Sequence, residues 1–248
     1  MPEAELSPVG DTPGDVGPGA VEVLTHGEIE LVGRLPFSSN AAFLVQVTSN
    51  GATVAAVYKP ARGERPLHDY PPGLYRREVG AYLLATSMGW DLVPPTVLRT
   101  DAPVGEGSLQ LFVEHDPDDH YFELCDDPAF ADQFRRVAVF DLVANSADRK
   151  GGHLLRDVHD HIWAIDNGLT LHAQFKLRTV VWDFAGQSIA PDLLAPLEPL
   201  AAGEMTPELA ALLDGFERDA LAARARAVLH SGVLPHDPSG QRWPWPPV

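Results

Sequence analysis

Cysteine occurs once in the 248 residues, at Cys125. A lone cysteine excludes an internal disulfide framework and makes a reducing cytoplasm the natural compartment. Lysine is almost as scarce. Lys59, Lys150 and Lys176 are the only three, and every other basic residue is arginine. Positive charge is short overall, with 18 basic against 35 acidic residues and a net charge of −17. That balance disfavours nucleic acid and anionic membrane surfaces as partners, since both are held through cationic patches. No apolar run approaches the roughly 20 residues needed to cross a bilayer. The N-terminus lacks a basic start and an apolar core, so it does not read as a signal peptide. Its acid, Pro and Gly predict a disordered lead-in over residues 1–24.

What is present suits a folded domain: 45% hydrophobic and 21% charged residues are ordinary for a globular chain long enough to bury a core. Between Gly27 and Pro60 three short apolar or alternating runs (IELVGRL, AAFLVQVTS, ATVAAVYKP) predict an antiparallel meander. Ser49-Asn50-Gly51 supplies a hairpin turn. LYRREVGAYLLATSMG has helical spacing, with Gly89 as its stop. TVLRT and SLQLFVEHD predict two further strands. Residues 128–144 read as a helix with Pro128 in its first turn. A polar loop, NSADRKGG, then leads to the hairpin HLL/IWAI, which ends in Asp166-Asn167-Gly168. From Thr206, an N-cap followed by Pro207, one or two helices reach residue 232. The tail QRWPWPPV reads as extended. The order implies an α+β chain with an N-terminal lobe over 25–116, a mostly helical lobe over 117–240, and the tail at 241–248.

Chemistry concentrates in few places. Asp148 on the polar loop and Asp166 at a strand end lie where catalytic groups are commonly displayed. A loop aspartate can orient or deprotonate a hydroxyl, and a strand-end aspartate can ligate magnesium through oxygen. Lys59 ends an apolar strand, and Glu78 is mid-helix. Together they can form the ion pair that phosphoryl-transfer enzymes use to hold nucleotide phosphates, though each alone also suits a solvated surface. Ser38, Ser39 and Asn40 join the first two strands and could present amides to phosphate, or form an ordinary turn. His153, His159, Asp160, His161 and His172 make a competing, transition-metal constellation. Arg178, Trp182 and Asp183 could line a substrate pocket or be ordinary packing.

In order, Lys59 in VAAVYKP, Glu78 in YRREVGAYL, Asp141 and Asp148-Arg149 in DLVANSADRKGGHLL, and Asp166 in WAIDNG resemble the phosphatidylinositol 3-/4-kinase-like branch of the protein-kinase-like fold. The likeness is strongest to a small actinobacterial group and covers about Gly27 to Leu171. It implies a two-lobed kinase-like fold and ATP and magnesium as cofactors. It also implies a soluble hydroxyl acceptor, protein or small molecule. On that resemblance Lys59 contacts the phosphates and pairs with Glu78. Asp148 orients or deprotonates the acceptor hydroxyl, Arg149 stands beside it in the catalytic set with Lys59 and Glu78, and Asp166 holds the metal. Leu111, Phe112, Val113 and Glu114 read adenine. His153 stands where the family carries a metal-binding asparagine. With that exchange, a nucleotide-binding pseudokinase that regulates a partner, or nucleotidyl transfer to protein, stays open beside phosphotransfer.

Overall fold

The computed structural model describes residues 18–35 and 40–248. Helix α1 (Pro18–His26) precedes strands β1 (Glu28–Arg34), β2 (Phe43–Ser49) and β3 (Ala52–Pro60). Helix α2 (Leu74–Ser87) follows, then β4 (Thr96–Arg99) and β5 (Gly107–Leu111). All five strands form one antiparallel sheet in the order β1-β2-β3-β5-β4. The expected meander is present. Its β2–β3 turn sets Asn50 at φ 51° and Gly51 at φ 82°, the left-handed backbone that a tight hairpin demands. Alternation decides which face is covered: Val45 and Val47 are buried while Gln46 and Thr48 face out.

Residues 18–24 correct the expected lead-in. They belong to α1, whose Val23 and Leu24 pack against Val45, Val47, Ala56, Tyr58 and Leu109. Its apolar residues Ala20, Val21, Val23 and Leu24 follow a Pro-, Gly- and acid-rich run that masks them, and the apolar face of the sheet recruits them, a tertiary reason that composition does not display. The preceding residues lie outside the described part of the chain.

The second half is mostly helical: α3 (Tyr121–Leu124), α4 (Ala131–Ala144), α5 (Pro191–Leu194), α6 (Leu197–Ala202), α7 (Pro207–Leu212) and α8 (Gly215–Ser231). Pro128 is a correction, since it lies in a turn and α4 begins three residues later, at Ala131. Within α4, Phe134, Val137, Val139, Phe140 and Val143 are fully buried, and each large apolar side chain contributes about 1.5–3 kcal/mol relative to exposure. The hairpin β6 (Leu154–Arg156) and β7 (Ile162–Ala164) follows α4. Thr206 caps α7 through the Leu209 amide, and Asp214 with Glu217 forms a capping box on α8.

The chain is therefore α+β and two-lobed, a sheet with α1 and α2 beside a helical half. The lobes are joined through α2. Its Ala81, Leu84 and Ala85 share one core with α4, α6 and α8, and Arg77 is bonded to Glu217 of α8 and, at 2.8 Å, to the Thr170 carbonyl. The Ala164 amide also donates to the Leu92 carbonyl at 2.7 Å. The β6–β7 hairpin is thus fastened directly to the segment that enters β4.

Candidate active site

Three separate elements deliver side chains to one point. Lys59, next to last in β3, bonds through Nζ to Glu78 Oε1 and lies 2.8 Å from Asp166 Oδ1. Glu78 is buried in α2, and its second oxygen accepts the Asn167 N–H at 2.8 Å. One carboxylate therefore ties the strand lysine to the backbone that carries Asp166. Gly168 completes the approach, because a Cβ there would stand 3.3 Å from Glu78 Oε1. Asp166 has φ 54°, a left-handed conformation uncommon for a residue with a side chain and one that persists where neighbours over-determine it. Its side chain is half open to solvent, 53% exposed, against 3% for Glu78.

The charges follow from these contacts. Burial would lower the Lys59 ammonium, but Asp166 and Glu78 beside it reverse the sign and hold it firmly charged. Lys59 in turn holds Asp166 well below the usual carboxylate range. Burial raises Glu78, with Lys59 opposing.

Asp148 occupies the loop between α4 and β6. Burial pushes its carboxyl up to about 6, opposed chiefly by Lys150, whose Nζ is 3.7 Å away. His153 closes the other side, with Nε2 at 3.3 Å from Asp166 Oδ2. Burial depresses its pKa to about 4, so the ring is neutral near pH 7. The Lys150 amide donates to Nδ1 at 3.4 Å, which assigns the ring proton to Nε2, facing Asp166.

Arg149 lies beneath the site, with a side chain only 1% exposed. Its guanidinium bonds to Asp141 Oδ1 at 3.1 Å, the Ile165 carbonyl at 2.7 Å and Asn167 Oδ1 at 2.6 Å. Asp141 also accepts from Ser146 Oγ at 2.7 Å and Thr179 Oγ1 at 2.8 Å. This buried network holds the loop bearing Asp148 against the turn bearing Asp166. Arg149 therefore positions both carboxylates from below the pocket surface. The α4 end is set by Asn145, at φ 58°, whose amide donates to the His172 and Gln174 carbonyls.

Other expectations fare differently. Ser38 and Ser39 lie outside the described residues. Asn40 Oδ1 accepts the Arg65 amide at 2.9 Å, fastening the start of β2 to the turn after β3. Leu111 to Glu114 leave β5, but the amides of Leu111 and Phe112 already donate to Pro95 and Ala55. The histidines do not converge: His159 and His161 sit in the β6–β7 turn, while His172 packs edge-on against Tyr70. Among the described residues no group of three or more His, Cys, Asp or Glu is placed to hold a metal ion. No described helix is long and apolar enough to cross a membrane.

No family model matches the sequence. Protein Rv2133c of Mycobacterium tuberculosis is 38% identical over 262 residues, spanning 90% of this chain and 94% of that protein. The chain belongs to the Rv2133c family. Among solved structures it is similar to CtkA, a proinflammatory kinase of Helicobacter pylori, with a TM-score of 0.46 and 14% identity over 85% of this chain and 94% of that one. A superposition so loose establishes neither a common fold nor a common activity. For this member of the Rv2133c family, sequence reasoning passed over Lys150, Asn167, Ser146 and Thr179. Lys150 had a usable signal in the scarcity of lysine. Asn167 and Thr179 act through partners distant in sequence, Ser146 acts through Asp141 five residues before it at no recognisable motif spacing, and none of the three had one.

Proposed function

We propose that this chain is an ATP- and magnesium-dependent phosphotransferase of the phosphatidylinositol 3-/4-kinase-like type, working in the cytoplasm on a soluble hydroxyl acceptor, protein or small molecule. The observation that carries the reading is Lys59 bonded at once to Glu78 and to Asp166, three elements brought to one point. A partly buried lysine fixed by a helix carboxylate beside an exposed, ionised aspartate is the arrangement that holds nucleotide phosphates and their metal.

The donors fit the group. Magnesium takes hard oxygen ligands and usually uses one or two carboxylates plus substrate phosphates, and Asp166 offers an ionised, half-exposed carboxylate. His153, with its proton on Nε2, donates toward Asp166; serving as a ligand itself would require the other tautomer. Bound magnesium would supply charge neutralisation for the phosphates. Lys59 would hold the α- and β-phosphates, and Ser38, Ser39 and Asn40 would offer amides to them. Adenine would be read by the segment Leu111 to Glu114, through Val113 and Glu114 because the first two amides are taken.

In the transfer, the acceptor oxygen forms a bond to the γ-phosphorus while the bond from that phosphorus to the β–γ bridging oxygen breaks. ADP leaves with that electron pair, and the acceptor proton passes to the Asp148 carboxylate. Asp148, poised at about 6, is a base matched to neutral pH. Catalysis comes chiefly from positioning and charge neutralisation.

The test is intact mass after incubation with ATP and magnesium, alone and with candidate acceptors. Gain of one phosphoryl group, abolished by Asp166→Asn, supports the reading. Gain of a nucleotidyl group shows nucleotidyl transfer instead. Tight ATP binding with no transfer identifies a pseudokinase, and no ATP binding rejects the nucleotide site.

A further inference from the structure

The C-terminal tail does not trail into solvent. It crosses the face of the loop that carries Asp148. The Gly151 N–H donates to the Pro247 carbonyl at 2.8 Å, and the Thr179 N–H donates to the Arg242 carbonyl at 3.1 Å. Trp182 Nε1 donates to the same Arg242 oxygen at 3.3 Å. Trp243 stacks on Phe122 with centroids 6.5 Å apart and planes 9° off parallel, and Arg242 lies 4.9 Å over the Phe175 ring. A Cβ added at Gly152, the neighbour of His153, would meet Val248 Cγ1 at 3.9 Å. The tail thus bridges the two segments that flank Asp148, residues 151–152 and 175–182.

Three features separate this contact from core packing. It has no helix or strand, and its two tryptophans, Trp243 and Trp245, are 42% and 88% exposed. Its prolines at 244, 246 and 247 have no N–H to donate, so the tail docks by presenting carbonyls to loop amides. Residues 240–248 contain no Ser, Thr or Tyr. A polypeptide laid beside the proposed base therefore offers nothing to phosphorylate.

We propose that residues 242–247 occupy, in cis, the channel through which an extended polypeptide acceptor reaches Asp148, and that transfer to protein requires their displacement. This rests on the phosphotransferase reading. The channel selects polypeptide because the donors that displacement of the tail releases, the Gly151 and Thr179 amides, recognise a backbone carbonyl in any sequence. A tethered occupant acts at an effective concentration on the order of mM, enough to hold the channel shut against dilute acceptors.

The test uses the full chain with dephosphorylated casein as acceptor and a small polyol as control. Trp243→Ala removes the stack on Phe122. Amide exchange at Gly151 and Thr179 is expected to accelerate, and transfer to casein to rise roughly tenfold, with no rise toward the polyol. Pro247→Ser places a hydroxyl on the strap and is expected to gain one phosphoryl group at residue 247. Faster exchange with unchanged or reduced transfer to casein overturns the proposal, as does an equal rise toward the polyol. If Trp243→Ala does not fold, Pro247→Ser decides: phosphate at 247 supports the channel, and none rejects it. The thermal shift of the unaltered chain by ATP and magnesium reads separately, and its absence rejects the phosphotransferase reading together with the strap.

Discussion

Asp148 and Asp166 are carboxylates of one pocket driven in opposite directions. Lys59 keeps Asp166 ionised, whereas burial lifts Asp148 to about 6. Opposed shifts of this kind separate a metal-holding group from a proton-accepting one. In the proposed transfer Asp148 must be deprotonated to accept the acceptor's proton, so the rate is expected to fall about tenfold for each pH unit below about 6, and a pH profile of initial rates checks this. The sign for stability is the reverse. The folded state keeps the Asp148 proton at pH values where the unfolded chain has released it, so this group's contribution to stability declines as pH rises from the ordinary carboxylate range through about 6. Asp148→Asn should therefore abolish transfer while leaving ATP binding and the pH 7 melting temperature unchanged or slightly raised. A clear loss of stability would mark Asp148 as structural. His153 permits the complementary experiment. Its neutral ring places an N–H beside Asp166, whereas asparagine would offer an oxygen to the metal. His153→Asn is expected to raise transfer several-fold at limiting magnesium, read as a lower magnesium requirement in a titration.

At the scale of elements, the loop after α4 is held by a buried charge network. Arg149 and Asp141 are 1% and 0% exposed. Removing one member of such a pair leaves the other charge uncompensated, which costs about 3–5 kcal/mol. Asp141→Ala should therefore lose that much in urea unfolding, and with it all nucleotide binding. The surface cap change Asp214→Ala on α8 should cost only about 1 kcal/mol. The pattern that named these elements was uneven in what it revealed. Strand alternation, the Asn50-Gly51 turn and the helical spacing of α2 and α8 are local signals, and the structure contains those elements. Helices α3, α5 and α6, of 4–6 residues, are too short to show helical periodicity. Helix α1 was hidden by composition, because its burial depends on the apolar sheet face beneath it. Within the site, Lys59, Glu78 and Asp166 could be suspected from their places at strand ends and mid-helix. Arg149 reads as catalytic in the sequence because an Asp-Arg dipeptide does not tell which of its side chains turns inward. Ser146 and Thr179 were illegible, since each matters only through Asp141.

At the scale of the molecule, the proposed nucleotide site and the lobe attachment share one helix. Helix α2 carries Glu78 on the pocket side and Arg77 on the other, where Arg77 bonds to Glu217 at the start of α8. Lys59 and Asp166 approach that helix from opposite lobes, so a ligand that bridges them stabilises the joint as well as the pocket. A ligand that binds only the folded chain adds RT ln(1 + [L]/Kd), about 2.7 kcal/mol at a hundredfold excess over Kd. For a chain of this length each kcal/mol raises the melting temperature by roughly 2–4 °C. ATP with magnesium is therefore expected to raise the melting temperature by about 5–10 °C, and ATP with chelator by clearly less. Asp166→Asn should lose the magnesium-dependent part alone, while Lys59→Met should lose the shift under both conditions. Glu217→Gln removes one charge of the α2–α8 pair without touching the pocket. It should lower the unliganded melting temperature yet keep the full ATP increment, because the pair fastens α2 in both states. A reduced increment in Glu217→Gln would instead show that nucleotide binding works by tightening α2 against α8.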